Sequence, residues 1–193
     1  MNQSSLTEAL NLLGETLANE RKHAVWLLVG GGSALLIQSL SDRQTRDVDV
    51  LALREFEGDI VNAYPLPQSL KEAVAQVATE LRLPSNWINS AASLHGIDFN
   101  TVIPKFWQDL ETREYGSHLK ISFIGRYGLI LLKICAALER NEQRDIDDLI
   151  QLQPRAVELR ELLHWLLHSH YQSFPHPKLS EILSRIGHAN LIP

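Results

Sequence analysis

The chain has 193 residues, 45% hydrophobic and 21% charged, which is enough length and apolar content to bury a core in one compact unit,. Its 18 basic residues against 23 acidic ones give a net charge of -5, which excludes a protein that holds nucleic acid by overall charge, so any such partner must be met locally,. The single cysteine, Cys135, excludes an internal disulfide and suits a reducing cytoplasm,.

The first predicted elements are a helix, a strand and a second helix. Residues 5–8 (SLTE) have the spacing of a capping box, and leucines at helical intervals follow, which predicts a helix to about Arg21,. The acidic residues of this segment do not fit a signal peptide, so no export signal is expected. The apolar run 24–29 predicts a buried strand that stops at three glycines, and residues 33–40 predict a helix.

The middle of the chain predicts two strands and a helix. Residues 47–53 alternate charged or small residues with valine and leucine, the two-residue period of a strand with one polar face, and a second strand is expected directly after it,. Residues 68–81 predict a helix with one apolar face. In the segment 85–118 the sequence indicates only a short helix around Trp87 and irregular structure beyond it.

The last third of the chain is predicted to be helical after one more strand. Residues 118–124 predict that strand, and 126–140, 145–152 and 157–170 predict consecutive helices,. These elements indicate an α+β protein with a core over residues 1–125 and a helical lobe over residues 126–193, packed together as one unit. No apolar run reaches the ~20 residues that a membrane span needs, so no membrane is expected as a partner.

The glycine turn after the first strand is the first candidate for chemistry. Residues 30–33 (GGGS) lie where a strand would pass into a helix, so their backbone N–H groups and the helix dipole would point to one place,. Glycines let a polyphosphate approach such a backbone closely. Glycine triplets also form plain turns, and by itself this one leaves both interpretations open.

The second candidate is the pair Asp47 and Asp49. Residues two apart in a strand point to the same side, so the two carboxylates share one side while Val48 and Val50 face the core,. Carboxylates so close repel one another unless a cation lies between them, and magnesium prefers oxygen ligands of this kind. The alternative is a solvated strand face with two ordinary aspartates.

Together these motifs resemble a known family. Their order is similar to the signature of minimal nucleotidyltransferases of the polymerase-beta-like superfamily, in particular the abortive-infection toxin group. The resemblance spans residues 29–152 and rests on residues 30–33 (GGGS), 43–50 (RQTRDVDV), 133–137 (KICAA) and 140–149 (RNEQRDIDDL).

The resemblance implies a mixed-sheet nucleotidyltransferase lobe followed by a helical lobe, with Mg²⁺ as cofactor. A hydroxyl on RNA, with tRNA as one candidate, or on a protein would attack the alpha phosphate of a nucleoside triphosphate and release pyrophosphate, and an antitoxin would be a further partner. The implied roles are metal ligation by Asp47 and Asp49, contact with the beta and gamma phosphates by Gly31, Gly32 and Ser33, support of the strand entrance by Arg43 and Thr45, and approach to the phosphates or the acceptor by Lys133.

Lys133 and the acids of residues 140–149, which contribute to the resemblance, have ordinary alternative interpretations. A lysine on an amphipathic helix is usually solvated, which is the competing interpretation of Lys133. The acids Asp145, Asp147 and Asp148 are most simply acids at a helix N-terminus, where they oppose the dipole.

A third carboxylate, expected in this family on a later strand, is the gap in the pattern. No acid lies within residues 118–124, and the nearest candidates are Asp98, Glu111 and Glu114. Glu114 is the first choice, because residues 111–124 could fold as a strand pair turning at Gly116. Some members of the superfamily lack this acid and do not transfer nucleotides, so the alternative function is a silent fold that senses nucleotide or binds protein.

Overall fold

A computed structural model describes residues 1–20, 23–55, 58–94, 104–140, 142–168 and 176–191. They form a mixed α+β structure with one six-stranded sheet and seven α-helices. The strands are β1 (Val25–Gly30), β2 (Val48–Arg54), β3 (Ile60–Asn62), β4 (Ile88–Asn89), β5 (Glu111–Tyr115) and β6 (Leu119–Phe123). The helices are α1 (Gln3–Asn19), α2 (Gly31–Ile37), α3 (Gln68–Leu81), α4 (Arg126–Arg140), α5 (Gln143–Leu152), α6 (Ala156–His168) and α7 (His176–Arg185).

The sheet is mixed and has β1 at its centre. β1 pairs with β2 antiparallel on one side and with β6 parallel on the other, and β5 extends the sheet beyond β6. The outer edge of β2 pairs with β3 over its last residues and with β4 over its first two. The end of β1, the start of β2 and the short β4 therefore meet at one edge of the sheet, the edge formed by the ends of the strands.

The helical lobe lies against that same edge. A Cβ added at Gly30, the last residue of β1, would come within 2.9 Å of Leu132 Cδ1 on α4. α4 also packs against α2 and carries α5 and α7 with it, whereas α1 packs on α3 and reaches β5 and β6. None of the helices in the described part of the chain has the length and apolarity that crossing a bilayer requires.

Most predicted elements are present, and two local predictions are wrong. α1 begins before the predicted box: the Asn2 side chain accepts a hydrogen bond from the Ser5 N–H at 2.9 Å, so Asn2 is the N-cap. The short helix around Trp87 is absent. The Trp87 side chain is fully buried, and the backbone carbonyl of Trp87 accepts a hydrogen bond from the Val48 N–H at 2.7 Å. This bond leads the chain into β4 instead of a helix.

Candidate functional site

The aspartate pair lies at the sheet edge where β1 ends and β2 begins. Asp49 on β2 pairs with Gly30, the last residue of β1, and Asp47 is the residue just before β2. Val48 and Val50 are fully buried while both aspartates are half-buried, so the alternation predicted for this segment is present. The fold therefore brings the two carboxylates to the end of the glycine turn.

The turn and Asp49 are in direct contact. Gly31 has a φ of +67°, a backbone conformation that favours glycine, and a Cβ at this position would lie 2.2 Å from Asp49 Oδ2,. The bare Cα of Gly31 is thus what lets the carboxylate lie against the backbone. The sequence motif of glycines followed by aspartates corresponds here to one contiguous site.

Ser33 and Gly32 lie on the inner side of this turn. Ser33 is fully buried, and its hydroxyl donates to the Gly30 carbonyl at 3.1 Å, so the structure places this side chain inside the turn. A Cβ at Gly32 would lie 3.0 Å from Thr45 Oγ1 and 3.6 Å from Arg43 Nη2. Arg43 and Thr45 therefore lie beside the turn, close to the residues predicted to contact phosphate.

Thr45 lies at the entrance to β2. It is buried, and its hydroxyl donates to the carbonyl oxygen of Asp47 at 2.8 Å. Arg43 is held differently: its guanidinium donates to both carboxylate oxygens of Asp148, from Nη2 at 2.9 and 3.2 Å and from Nε at 3.3 Å. Bidentate contacts of this kind fix a guanidinium firmly, so the loop before β2 is attached to α5.

Lys133 is buried, which corrects its interpretation as a solvated lysine. Only 7% of its side chain is exposed, and Nζ lies 3.0 Å from Asp145 Oδ1 and 2.6 Å from Asp148 Oδ2. An ammonium has three N–H donors, and these two contacts use two of them. The structure does not bring Lys133 to the site as a free cation.

Asp145 and Asp148 are more than acids at a helix N-terminus. Both are buried and form an ion pair with Lys133 on α4, and Asp148 also pairs with Arg43 in the loop before β2. Arg140 completes the set, because its Nη2 lies 3.2 Å from Asp145 Oδ2. We call Arg43, Asp148, Lys133, Asp145 and Arg140, which contact one another in that order, the ion-pair chain.

Asn89 is the site residue that the sequence did not reveal. It pairs with Asp49 in the register of β4 and β2, and its Nδ2 lies 3.4 Å from Asp47 Oδ2 and 3.5 Å from Asp49 Oδ1. Its only local signal is an asparagine after two apolar residues, and a two-residue strand shows no period. The third polar group beside the pair is thus an amide.

Burial is the main cause that raises the pKa of Asp49, and the charge of Asp47 adds to it. The hydrogen bond from Asn89 and the charges of Lys133 and Arg140 act in the opposite direction. Positive charge placed between the two carboxylates would favour their ionised forms. Oxygen donors in this condition fit a hard divalent cation such as Mg²⁺.

Glu114 lies far from the aspartates, so its assignment as the third carboxylate is contradicted by its position. The strand pair turning at Gly116 forms as predicted, but it places Glu114 opposite Lys120, which pairs with Trp26 near the start of β1. β5 is three strands from β2, a separation of ~14 Å at the usual strand spacing. The Glu114 side chain is 72% exposed and lies 3.5 Å from Lys120 Nζ.

The other candidate acids are Glu111 and Asp98. Glu111 forms an ion pair with Arg113 on the same strand, and Asp98 lies outside the described residues. Within the described ranges no group of three histidine, cysteine or carboxylate side chains could hold a metal. The described acids of the site are therefore Asp47 and Asp49.

Comparisons of the chain with protein-family models, with curated proteins and with solved structures find no match.

Proposed function

We propose that this chain is a nucleotidyltransferase with a polymerase-beta-like fold, and that it transfers a nucleoside monophosphate from a triphosphate to a hydroxyl on RNA or protein. One observation carries the proposal: the Asp49 carboxylate, next to Asp47, lies against the bare backbone of Gly31. A metal-binding pair and a backbone turn that a phosphate can approach closely are then one site.

Asp47 and Asp49 would hold magnesium, which when bound neutralises phosphate charge and favours deprotonation of the attacking hydroxyl. The triphosphate would be bound by the glycine turn and by nearby cationic side chains. Arg43 lies beside Gly32, and Arg140 is close enough to lower the pKa of Asp49, while their side chains remain 38% and 43% exposed. Both arginines are therefore available to a polyphosphate while aspartates hold them in place.

The proposed reaction is an in-line displacement. The acceptor oxygen forms a bond to the alpha phosphorus, the bond from that phosphorus to the bridging oxygen breaks, and pyrophosphate leaves with the electron pair. The hydroxyl proton passes to solvent. The turn contributes orientation of the phosphates, which is the main protein contribution to phosphoryl-type transfer.

The test is label transfer from each alpha-labelled nucleoside triphosphate, with magnesium and a cell extract. We expect label on RNA or protein with the wild type and none with the double variant Asp47→Asn/Asp49→Asn. Asp42→Asn/Asp59→Asn removes the same charge from exposed positions and is the matched control. Equal transfer by the wild type and the Asp47/Asp49 variant would remove the metal assignment.

A role as the toxin of a toxin–antitoxin pair depends on this activity. Induced expression should then stop growth, the Asp47→Asn/Asp49→Asn variant should not, and co-expression of a small neighbouring reading frame should restore growth. Growth arrest by the double variant would separate toxicity from nucleotide transfer.

A catalytically silent fold that senses nucleotide or binds protein is the second candidate function, and the amide of Asn89 favours it. An amide does not accept the proton of an attacking hydroxyl, and general-base help is worth ~10²–10⁴ in rate. In this case the labelling assay shows no transfer, while calorimetry shows magnesium-dependent triphosphate binding that Asp47→Asn/Asp49→Asn abolishes.

A further inference from the structure

We infer that Asn89 makes the site a one-cation site: it fills the third polar position as a hydrogen-bond donor and contributes no ligand to a metal. This inference rests on the proposed function, since it assumes that Asp47 and Asp49 bind a divalent cation. It adds the number of ions that the described residues of the site hold and the residue that sets this number.

The orientation of the Asn89 amide is fixed by its other hydrogen bond. Its Oδ1 accepts from the Ala91 N–H at 3.1 Å, so the Nδ2 donors face the two aspartates. If the amide turned over, its oxygen would face two carboxylates and the Ala91 N–H would lose its acceptor. In the metal-free protein the first change adds electrostatic repulsion, and the second breaks a hydrogen bond to the backbone,.

The charges of the side chains at the site also favour a single divalent cation. Asp47 and Asp49 together carry the two negative charges that balance one divalent cation, and the neutral amide adds none. The positive charges that act on Asp49 are those of Lys133 and Arg140, which are held by Asp145 and Asp148 and supply no ligand to a cation. A second metal ion would need another negative ligand from this protein or its substrate.

The test is the substitution Asn89→Asp, which changes one amide nitrogen to oxygen and keeps the acceptor for Ala91. Asn62→Asp is its matched control. Asn62 ends β3 on the same outer edge of β2, and its Oδ1 likewise accepts from the backbone N–H two residues on, at 2.7 Å from Tyr64 N. Both variants add one negative charge in the same kind of turn, and only Asn89→Asp adds it beside the aspartates.

The measurement is Mn²⁺ binding without nucleotide, by the electron paramagnetic resonance of free Mn²⁺ and by calorimetry. We expect one ion per chain for the wild type, for Asn62→Asp and for Asn89→Ala, and none for Asp47→Asn/Asp49→Asn. For Asn89→Asp we expect a second ion, with the first bound roughly 10- to 100-fold more tightly, the usual size of effect for side chains around a metal.

Three outcomes would overturn the inference. Two ions in the wild type, both lost in Asp47→Asn/Asp49→Asn, would exclude a one-cation site. Loss of the wild-type ion in Asn89→Ala, or Asn89→Asp that binds Mn²⁺ as Asn62→Asp does, would exclude the role given to Asn89. No ion in the wild type would instead remove the metal assignment of the proposed function, on which the inference rests.

Discussion

Gly31 is the residue whose substitution tests the contact between turn and carboxylate. Gly31 and Gly187 both have positive φ, +67° and +83°, but a Cβ at Gly187 meets nothing within 4 Å. Gly187→Ala should cost only the strain of the left-handed backbone, ~1 kcal/mol. Gly31→Ala should cost more and should also abolish stabilisation by magnesium, because the new Cβ displaces Asp49.

The measurement is urea unfolding of both alanine variants with and without magnesium. The difference between the two variants isolates the displacement of Asp49, since the backbone strain is common to both. Equal free energies of unfolding, with magnesium stabilisation kept in Gly31→Ala, would show that Asp49 moves away without consequence.

Asp49 itself should destabilise the metal-free protein at neutral pH. Its pKa is raised by burial and by Asp47, so the folded state binds this proton more tightly than the unfolded chain does. Stability from this group is therefore lost as the pH rises above the ordinary value of 3.8,. We expect Asp49→Asn to melt at a higher temperature than the wild type without magnesium at about pH 7.

Magnesium should reverse this order of melting temperatures. At 100 times its Kd a ligand stabilises the folded state by ~2.7 kcal/mol, a gain expected for the wild type and for Asp42→Asn but absent in Asp49→Asn. A lower melting temperature for metal-free Asp49→Asn would mean that Asp49 has a structural role outweighing its repulsion from Asp47.

At this scale the sequence predicts residues that lie close to one another along the chain. Asp47 and Asp49 follow from a two-residue period, and Gly31 from its place between a strand and a helix. The position of Asn89 could not be predicted in this way, because its neighbours Asp49 and Asp47 are 40 and 42 residues away along the chain. The burial of Lys133 could not be predicted for the same reason, because contact with aspartates of another helix leaves no pattern in the local sequence.

Among the elements, α4, α5 and the loop before β2 are joined by the ion-pair chain. Removing one partner of a buried pair leaves uncompensated charge, at a cost of about 3–5 kcal/mol. Lys133→Met should therefore lower the free energy of unfolding by about that amount, as it leaves Asp145 and Asp148 with less positive charge,.

Lys105→Met is the control for this prediction. Its Nζ lies 3.0 Å from Glu161, but both side chains are about two-fifths exposed, so its ion pair contributes ~0–1 kcal/mol,. Chemical unfolding of both variants measures the difference. Equal losses would mean that Asp145 and Asp148 become hydrated or protonated without cost once Lys133 is removed.

Element boundaries were predictable where an apolar period runs over several turns. The predicted range 68–81 is α3, and the predicted range 126–140 is α4. Prediction failed for β4, which has two residues and exists only because it pairs with β2. The start of α1 failed for a different reason: Asn2 and the predicted cap both offer side-chain acceptors, and the pattern alone does not choose between them.

For the whole molecule, the order of strands in the sheet decides which residues form the site, and that order is not local. The hairpin of β5 and β6 follows from its sequence, with Gly116 at the turn in positive φ. Its place beyond β1, with Glu114 directed to the far end, depends on the parallel pairing of β6 with β1. The same hairpin on the other side of the sheet would have lain beside β2.

The response of the whole protein to acid should depend on Glu158, which links the start of α6 to the start of α4. Its side chain is 4% exposed and contacts Arg126 and Arg155, each at 2.8 Å. Burial alone would raise the pKa of Glu158, but hydrogen bonds from Arg155 and Arg126 outweigh burial and lower the pKa from 4.5 to about 2. The folded state therefore binds this proton less readily than the unfolded chain does.

The stability that Glu158 contributes is present above about pH 5 and is lost as the pH falls toward about 2, through the interval between the two pKa values. We expect Glu158→Gln to be less stable than the wild type by about 2–3 kcal/mol at about pH 7, and the two proteins to become equally stable near about pH 2. Glu161→Gln, which removes an exposed carboxylate one turn further along α6, is the matched control. Denaturant unfolding across this pH range measures all three proteins, and a constant difference between Glu158→Gln and the wild type would show that Glu158 stabilises the fold by packing and not through its charge.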